Sequence, residues 1–195
     1  MKIKEILSIN TITKDIDNDM LSYYQITPDN RGVHLFDIGS YNVFLYNKGS
    51  KLKRKKIIID VITIWDKSKQ IATLLSDIDN HEILISSFFI HKEYQGKNIG
   101  FELYKQLIDH GFDIMNYDSQ SIGAEKLWAK LTTNKNIKIY AVNNKDQAFL
   151  LTNTNGRLTK LDRSSPYSKI EFLIATKAGS ETDKHYSNNL IVTTK

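Results

Sequence analysis

The stretch ISSFFIHKEYQGKNIGFELYKQLI, Ile85 to Ile108, changes its hydrophobic period half-way along. Its first part completes an apolar run, Glu82 to Ile90, rich in β-branched and aromatic residues and read as a strand. From Asn98 to Gly111 the apolar residues fall at Phe101, Tyr104, Leu107, Ile108 and Phe112, which is helical spacing, and Gly111 suits a stop. The chain therefore predicts a strand, a tight turn and a helix. The start of a helix exposes unpaired N–H groups and a partial positive charge, an arrangement suited to a pyrophosphate. Gly96 and Gly100 permit close backbone approach, and Lys97 adds a cation. Alone, this pattern has low specificity, because glycines also serve simply to pack a helix on a strand.

Working outward, the N-terminal side reads mostly as strands. Ile16 to Tyr24 has helical spacing, with Asp15 as a cap. Val33 to Ile38 and Tyr41 to Tyr46 read as strands around Gly39-Ser40. Lys56 to Trp65 is a β-branched strand, Gln70 to Leu75 pairs back on it, and Asp77 to Asn80 is expected to turn. On the C-terminal side, Ser121 to Leu131 carries Ala124, Leu127, Trp128 and Leu131 on one helical face. Strands follow at Ile137 to Val142, Gln147 to Thr152, Arg157 to Leu161 and Ile170 to Thr176. The last 18 residues read as a polar tail apart from Leu190 to Val192. The expected fold class is α+β, a mixed and mostly antiparallel sheet flanked by helices. Residues 1–150 are expected to form one domain, with 151–195 packed on it.

Composition narrows the function classes. The chain has 195 residues, no Cys, and 27 basic against 22 acidic residues, for a net charge of +5. Without Cys there are no disulfides, thiolate metal sites or Cys nucleophiles. The five His residues, at 34, 81, 91, 110 and 185, form no HExxH pair, so no metal is expected. No apolar run reaches the roughly 20 residues of a membrane span, and no membrane association is expected. A cytoplasmic, soluble protein is the expectation. The run Lys51-Leu52-Lys53-Arg54-Lys55-Lys56 reads first as a solvated turn and second as an attractor for something acidic. No recognition helix, stacking motif or zinc finger supports nucleic-acid binding.

Gln95-Gly96-Lys97-Asn98-Ile99-Gly100 resembles the acyl-CoA signature of the GNAT N-acetyltransferase superfamily, Gln/Arg-x-x-Gly-x-Gly/Ala. Gln95 takes the first position and Gly100 the last, while Asn98 stands where the signature has its first Gly. Downstream, Ser121-Ile122-Gly123-Ala124-Glu125-Lys126-Leu127-Trp128 resembles the family's Asn-x-x-Ala-x-x-x-Tyr segment, with Ser121 for Asn and Trp128 for Tyr. The resemblance covers residues 55–145. It implies a GNAT-like acyl-CoA-binding fold, with acetyl-CoA as co-substrate and an amine as acceptor. It also implies that backbone amides of Gln95 to Gly100 hold the pyrophosphate. Main-chain groups near Phe89 and Ile90 would bond the pantetheine arm where their strand splays from its neighbour, and Ser121 would donate to the same arm. The family's Tyr often protonates the departing thiolate, which the indole of Trp128 cannot do. Trp128 reads better as a core aromatic.

Acetyl transfer to an amine needs a polarised thioester carbonyl, a neutral amine and a stabilised leaving thiolate. Glu82, His81, Tyr117 and Asp118 are the base candidates, and Tyr117 and Tyr140 the replacement acids. Each has an ordinary alternative: a solvated turn for His81 and Glu82, turn or cap bonds for Asp118 with Ser119, and packing for the tyrosines. Two functions follow from the same residues. One is an acetyl-CoA-dependent N-acyltransferase working by direct attack, in part by positioning alone. The other is a non-catalytic interaction or structural protein of the same fold, its C-terminal strands offering an edge to a protein partner. The Ser-x-Gly-Ala-x-x-Leu-Trp helix is similar to that of phage-encoded members, so host cytoplasm or a virion are the corresponding locations.

Overall fold

A computed structural model of the chain describes residues 32–47, 51–52, 55–56, 59–116, 121–143, 145–160 and 172–190. It divides into two compact units, Met1–Leu74 with Phe88–Glu93, and Leu75–Ser87 with Tyr94–Lys195.

The first unit is built on antiparallel strands. β1 (Val33–Ile38) and β2 (Tyr41–Tyr46) form a hairpin, closed by Gly39 at φ 59°. Gly32, just before β1, has φ 80°, and a Cβ there would meet the Leu45 carbonyl oxygen at 2.3 Å, so no other residue fits without moving the backbone. Lys51–Leu52 (β3) and Lys55–Lys56 (β4) make a minimal antiparallel ladder. β5 (Asp60–Asp66) pairs with β2 from Tyr41↔Asp66 to Tyr46↔Val61. Val43, Val61, Ile62, Ile64, Trp65, Ile71, Ala72 and Leu74 are buried, and the Trp65 indole donates to Thr63 Oγ1 at 2.8 Å. These apolar side chains, not local propensity, hold the ladder.

β6 (Lys69–Asp79) and β7 (Glu82–Ile90) each run from one unit into the other. In the second unit, the helix α1 (Ile99–Asp109) follows β7, and then come β8 (Asp113–Asn116), α2 (Ile122–Leu131), β9 (Ile137–Val142), β10 (Ala148–Thr154), β11 (Arg157–Lys160), β12 (Phe172–Lys177) and α3 (Glu181–Asn188). The strand order in this unit is β7-β8-β12-β9-β10-β11. β7 and β8 are parallel over Glu82↔Asp113 to Ile85↔Asn116, whereas β8–β12, β12–β9, β9–β10 and β10–β11 are antiparallel. The fold is thus α+β with a mixed, mostly antiparallel sheet. β12 is inserted between β8 and β9, so the C-terminal strand is central to this sheet. Both faces of β9 and β12 are buried: Ile139, Ala141, Leu173 and Ala175 on one, Tyr140, Val142 and Ile174 on the other. α3 covers the second face with Tyr186 and the following Leu190. α1 packs on β8 and β12, and α2 on α1 and β9 to β11.

Four expectations need correction or relocation. The β-branched run forms a strand only from Asp60, since Ile59 bends; residues 57–58 lie outside the described part. The segment Asp77 to Asp79 continues β6, and the turn is confined to Asn80 and His81, with Asn80 at φ 53°. The polar C-terminal segment is not a tail but carries α3. The Ile16 to Tyr24 helix lies outside the described residues. No helix among the described residues is long and apolar enough to cross a membrane.

Candidate functional site

The turn after β7 begins with a short 3-10 helix, Lys92–Tyr94, then Gln95 and Gly96. Gly96 has φ 77° and open space where a Cβ would stand. Asn98, the N-cap of α1, also takes the left-handed region, at φ 61° and ψ 12°. Asn is among the few residues with a side chain that visit it readily, so the turn closes despite the missing glycine. The first N–H bonded back into the helix is that of Glu102, to Asn98 O at 3.0 Å. The N–H groups of Ile99, Gly100 and Phe101 precede the ladder and lie at the positive end of the helix dipole. Ile99 and Gly100 are buried, anchoring the turn, while Gln95 to Asn98 are exposed.

Cations gather at this entrance. Lys97 Nζ lies 4.6 Å from the centroid of Tyr94. Lys130, from the last turn of α2, donates from Nζ to Asn98 Oδ1 at 2.7 Å and lies 4.7 Å from the Phe101 ring centroid. Sequence reasoning missed Lys130. It is one lysine among 27 basic residues, and only the packing of α2 on α1 brings it to Asn98.

Ser121 caps α2. Its Oγ accepts from Ala124 N at 3.2 Å, and its hydroxyl hydrogen remains available to donate. Trp128 is 1% exposed and meets Tyr104 edge-to-face at 5.9 Å and 79°. It is the core aromatic of the α1–α2 contact. Burial pushes the Tyr104 phenol well above its usual range.

Phe89 and Ile90 are the half-buried last residues of β7, and they belong to the first unit. Glu82 is exposed at the other end of that strand, opposite Asp113 in register. At about 3.3 Å per residue, nine residues separate those ends widely. Glu82, Asp146 and Asp113 add, after burial, to the causes that raise the pKa of the Tyr186 phenol. Tyr117 and Asp118 lie outside the described residues.

Tyr140, a candidate acid, is corrected by its surroundings. Its hydroxyl donates to Asp183 Oδ1 at 2.6 Å and lies 2.8 Å from Ser187 Oγ. Burial first, then the Asp183 carboxylate, push this phenol up to about 12, which makes it a poorer proton donor. It serves to dock α3 onto the sheet. Asp183 and this docking were also missed, although Ser180-Glu181-Thr182-Asp183 carries the spacing of a helix start. Among the described residues no group of three His, Asp or Glu stands ready to hold a metal.

Residues 24–139, more than half of the chain, match the profile of the acetyltransferase (GNAT) family. No curated protein matches the chain. Among solved structures, the ribosomal-protein-S18-alanine N-acetyltransferase from Escherichia coli is similar at 16% identity and TM-score 0.34, over 62% of this chain and 72% of that one. A GNAT-family protein from Bacteroides thetaiotaomicron is similar at 9% identity and TM-score 0.37, over 97% and 91% respectively. The family match rather than these superpositions carries the assignment.

Proposed function

The chain belongs to the acetyltransferase (GNAT) family, and from that premise we propose that it moves an acetyl group from acetyl-CoA to an amine by direct attack. The observation that supports this reading best is the entrance to α1. There Gly96 and Asn98, both left-handed, turn the chain into the helix beside the exposed Lys97, and the N–H groups of its first turn have no partner within the helix. Those amides would bind the pyrophosphate, the main chain of Phe89 and Ile90 would bond the pantetheine arm, and the Ser121 hydroxyl would donate to it. In the reaction, the amine nitrogen bonds to the thioester carbonyl carbon, the C–S bond breaks, and the sulfur leaves with the electron pair. The amine's surplus proton goes to a base. Tyr117 and Asp118 are the candidates for that base; Glu82, at the end of β7 away from Phe89 and Ile90, is out of hydrogen-bond reach of a thioester held there. The indole of Trp128 cannot give a proton, so protonation of the sulfur falls to Tyr117, to water or to the acceptor's own proton.

A second reading is favoured by one observation. Trp128 is locked in the core, and Tyr140 is held by Asp183, so neither aromatic is an acid. A GNAT-fold protein that binds a protein partner without catalysis fits that loss.

Calorimetric titration with acetyl-CoA, on the wild type and on Gly100→Glu, tests the first reading. Gly100 lies in the first turn of α1, and a carboxylate there would oppose a phosphate. The expected result is micromolar binding by the wild type, lost in the variant, with a cooperative melt retained. Absence of wild-type binding at millimolar acetyl-CoA would leave the non-catalytic reading.

A further inference from the structure

We infer that the second unit holds a small-molecule site between β9 and β10, fitted to an organic anion with a short apolar body. The inference goes beyond the acetyl-CoA reading and does not rest on it. Its starting point is an interruption in the sheet. β9 and β10 pair only over Ala148↔Val142, Phe149↔Ala141 and Leu150↔Tyr140, although both strands run on. Past that point each strand keeps its other neighbour. Residues 137–139 stay on β12, from Ala175↔Ile139 to Lys177↔Ile137, and residues 151–154 pair with β11. Hydrogen bonds hold the parted ends. Asn153 Nδ2 donates to the Ala129 carbonyl of α2 at 2.9 Å, and Ile137 N donates to Asn134 O at 3.0 Å. A cavity of about 440 Å³ occupies the gap, lined by both strands and by the connection from α2 to β9. That volume is in the range of small-molecule sites.

The lining sets the chemistry of the occupant. The aliphatic side chains of Ile137, Leu150 and Leu151 give the cavity an apolar wall. Lys135 and Lys138 line it as well, and none of its lining residues is acidic. Among the described residues neither ammonium has an ion-pair or hydrogen-bond partner. Asn134 spends its Oδ1 on the Asn136 N–H at 3.0 Å, which leaves its amide hydrogens to donate, and Thr152 adds a hydroxyl. Two cations and two neutral donors beside aliphatic surface suit a carboxylate that carries a hydrocarbon body. A cationic ligand of the same shape would meet like charge. A bare inorganic anion would leave the apolar wall in water. Octanoate has the required head and body and serves as the probe.

The test titrates the isotope-labelled full chain with octanoate, octylammonium and inorganic phosphate at matched ionic strength. Amide resonances of residues 137–139 and 150–152 report the site, and melting temperatures accompany every variant. Octanoate should saturate those resonances by about 10 mM, with octylammonium and phosphate about tenfold weaker or worse. Lys135→Gln combined with Lys138→Gln should weaken octanoate about tenfold, and the corresponding double Arg variant should keep most of the affinity. Thr152→Phe should fill the cavity and abolish saturation with a cooperative melt retained; if that variant does not fold, the Gln pair decides. CoA added to the octanoate complex should leave the shifts in place. Octylammonium or phosphate binding as well as octanoate overturns the ligand class. Unchanged octanoate affinity in the Gln pair or in folded Thr152→Phe overturns the location. Absence of saturation in the wild type overturns the site, and displacement by CoA assigns the cavity to the cofactor instead. Failure of the wild type to bind CoA, with octanoate binding intact, removes the acetyl-CoA reading alone.

Discussion

The entrance to α1 and the underside of α3 are both polar, for opposite reasons. At α1 the polar groups of Gln95 to Asn98 are exposed, Lys97 and Lys130 stand beside them, and the backbone takes two left-handed residues. Beneath α3 the polar groups are matched, around the buried Tyr140 and Asp183. Tyr140 donates to Asp183 Oδ1, Gly179 N donates to Asp183 Oδ2 at 2.8 Å, and Asp183 N donates to Ser180 Oγ at 3.1 Å. Thr182 donates to Asp113, tying the same helix to β8. Unmatched charge at a surface waits for a ligand, whereas matched groups in a core specify a docking. The comparison teaches that the polar groups beneath α3 hold the fold together, while those at α1 are left exposed, where the proposed function puts a ligand.

The sharpest way to break this comparison is Asp183→Ala. It leaves the Tyr140 hydroxyl only Ser187 Oγ as partner and the Gly179 N–H to water, and should cost about 1–3 kcal/mol in urea unfolding. CoA affinity should stay unchanged; a variant that keeps its stability and loses CoA would reverse the two roles.

Alkaline pH gives a smaller effect with a definite sign. The Tyr140 phenol titrates at about 12 in the folded chain against an ordinary value of 10. Below pH 10 both states are protonated and the stabilisation is fully present. Between pH 10 and 12 the unfolded state loses its proton first, so stability falls as pH rises. Tyr104 and Tyr186, also raised, add in the same direction. Urea midpoints from pH 9 to 11.5 should fall more steeply in the wild type than in Tyr140→Phe. Equal slopes would remove Tyr140 from the buried network.

The smallest effect separates two serines with the same local job. Ser121 caps α2 and Ser180 caps α3. Their Ala variants should each lose about 1 kcal/mol. Only Ser121→Ala should also raise KM for acetyl-CoA, since only Ser121 is assigned to the pantetheine arm. A matching rise in Ser180→Ala would mean that the kinetics merely follow stability.

The α1 entrance was legible because its signals are local. A period change from 2 to 3.6, a glycine able to reach φ 77°, and an Asn tolerant of φ 61° all lie within a few residues. The hairpin of Val33–Ile38 with Tyr41–Tyr46 was legible for the same reason. α3 was not, because residues Glu181 to Asn188 show no apolar stripe. Its stability comes from Asp183, Ser187 and Tyr186 meeting Tyr140, more than 40 positions earlier. The extension of β6 to Asp79 was hidden by Asp77 and Asp79, which look like turn residues until a neighbouring strand satisfies their backbone.

The sequence by itself determined the strand-turn-helix and the family it belongs to, since these depend on residues close together in the chain. Only the tertiary structure decided that Lys130 reaches Asn98 across 32 positions, that Trp128 is sealed against Tyr104, and that β12 runs between β8 and β9. Those contacts join segments whose individual patterns carry no record of one another. They are selected by burial of apolar surface and by pairing of polar groups over the whole unit.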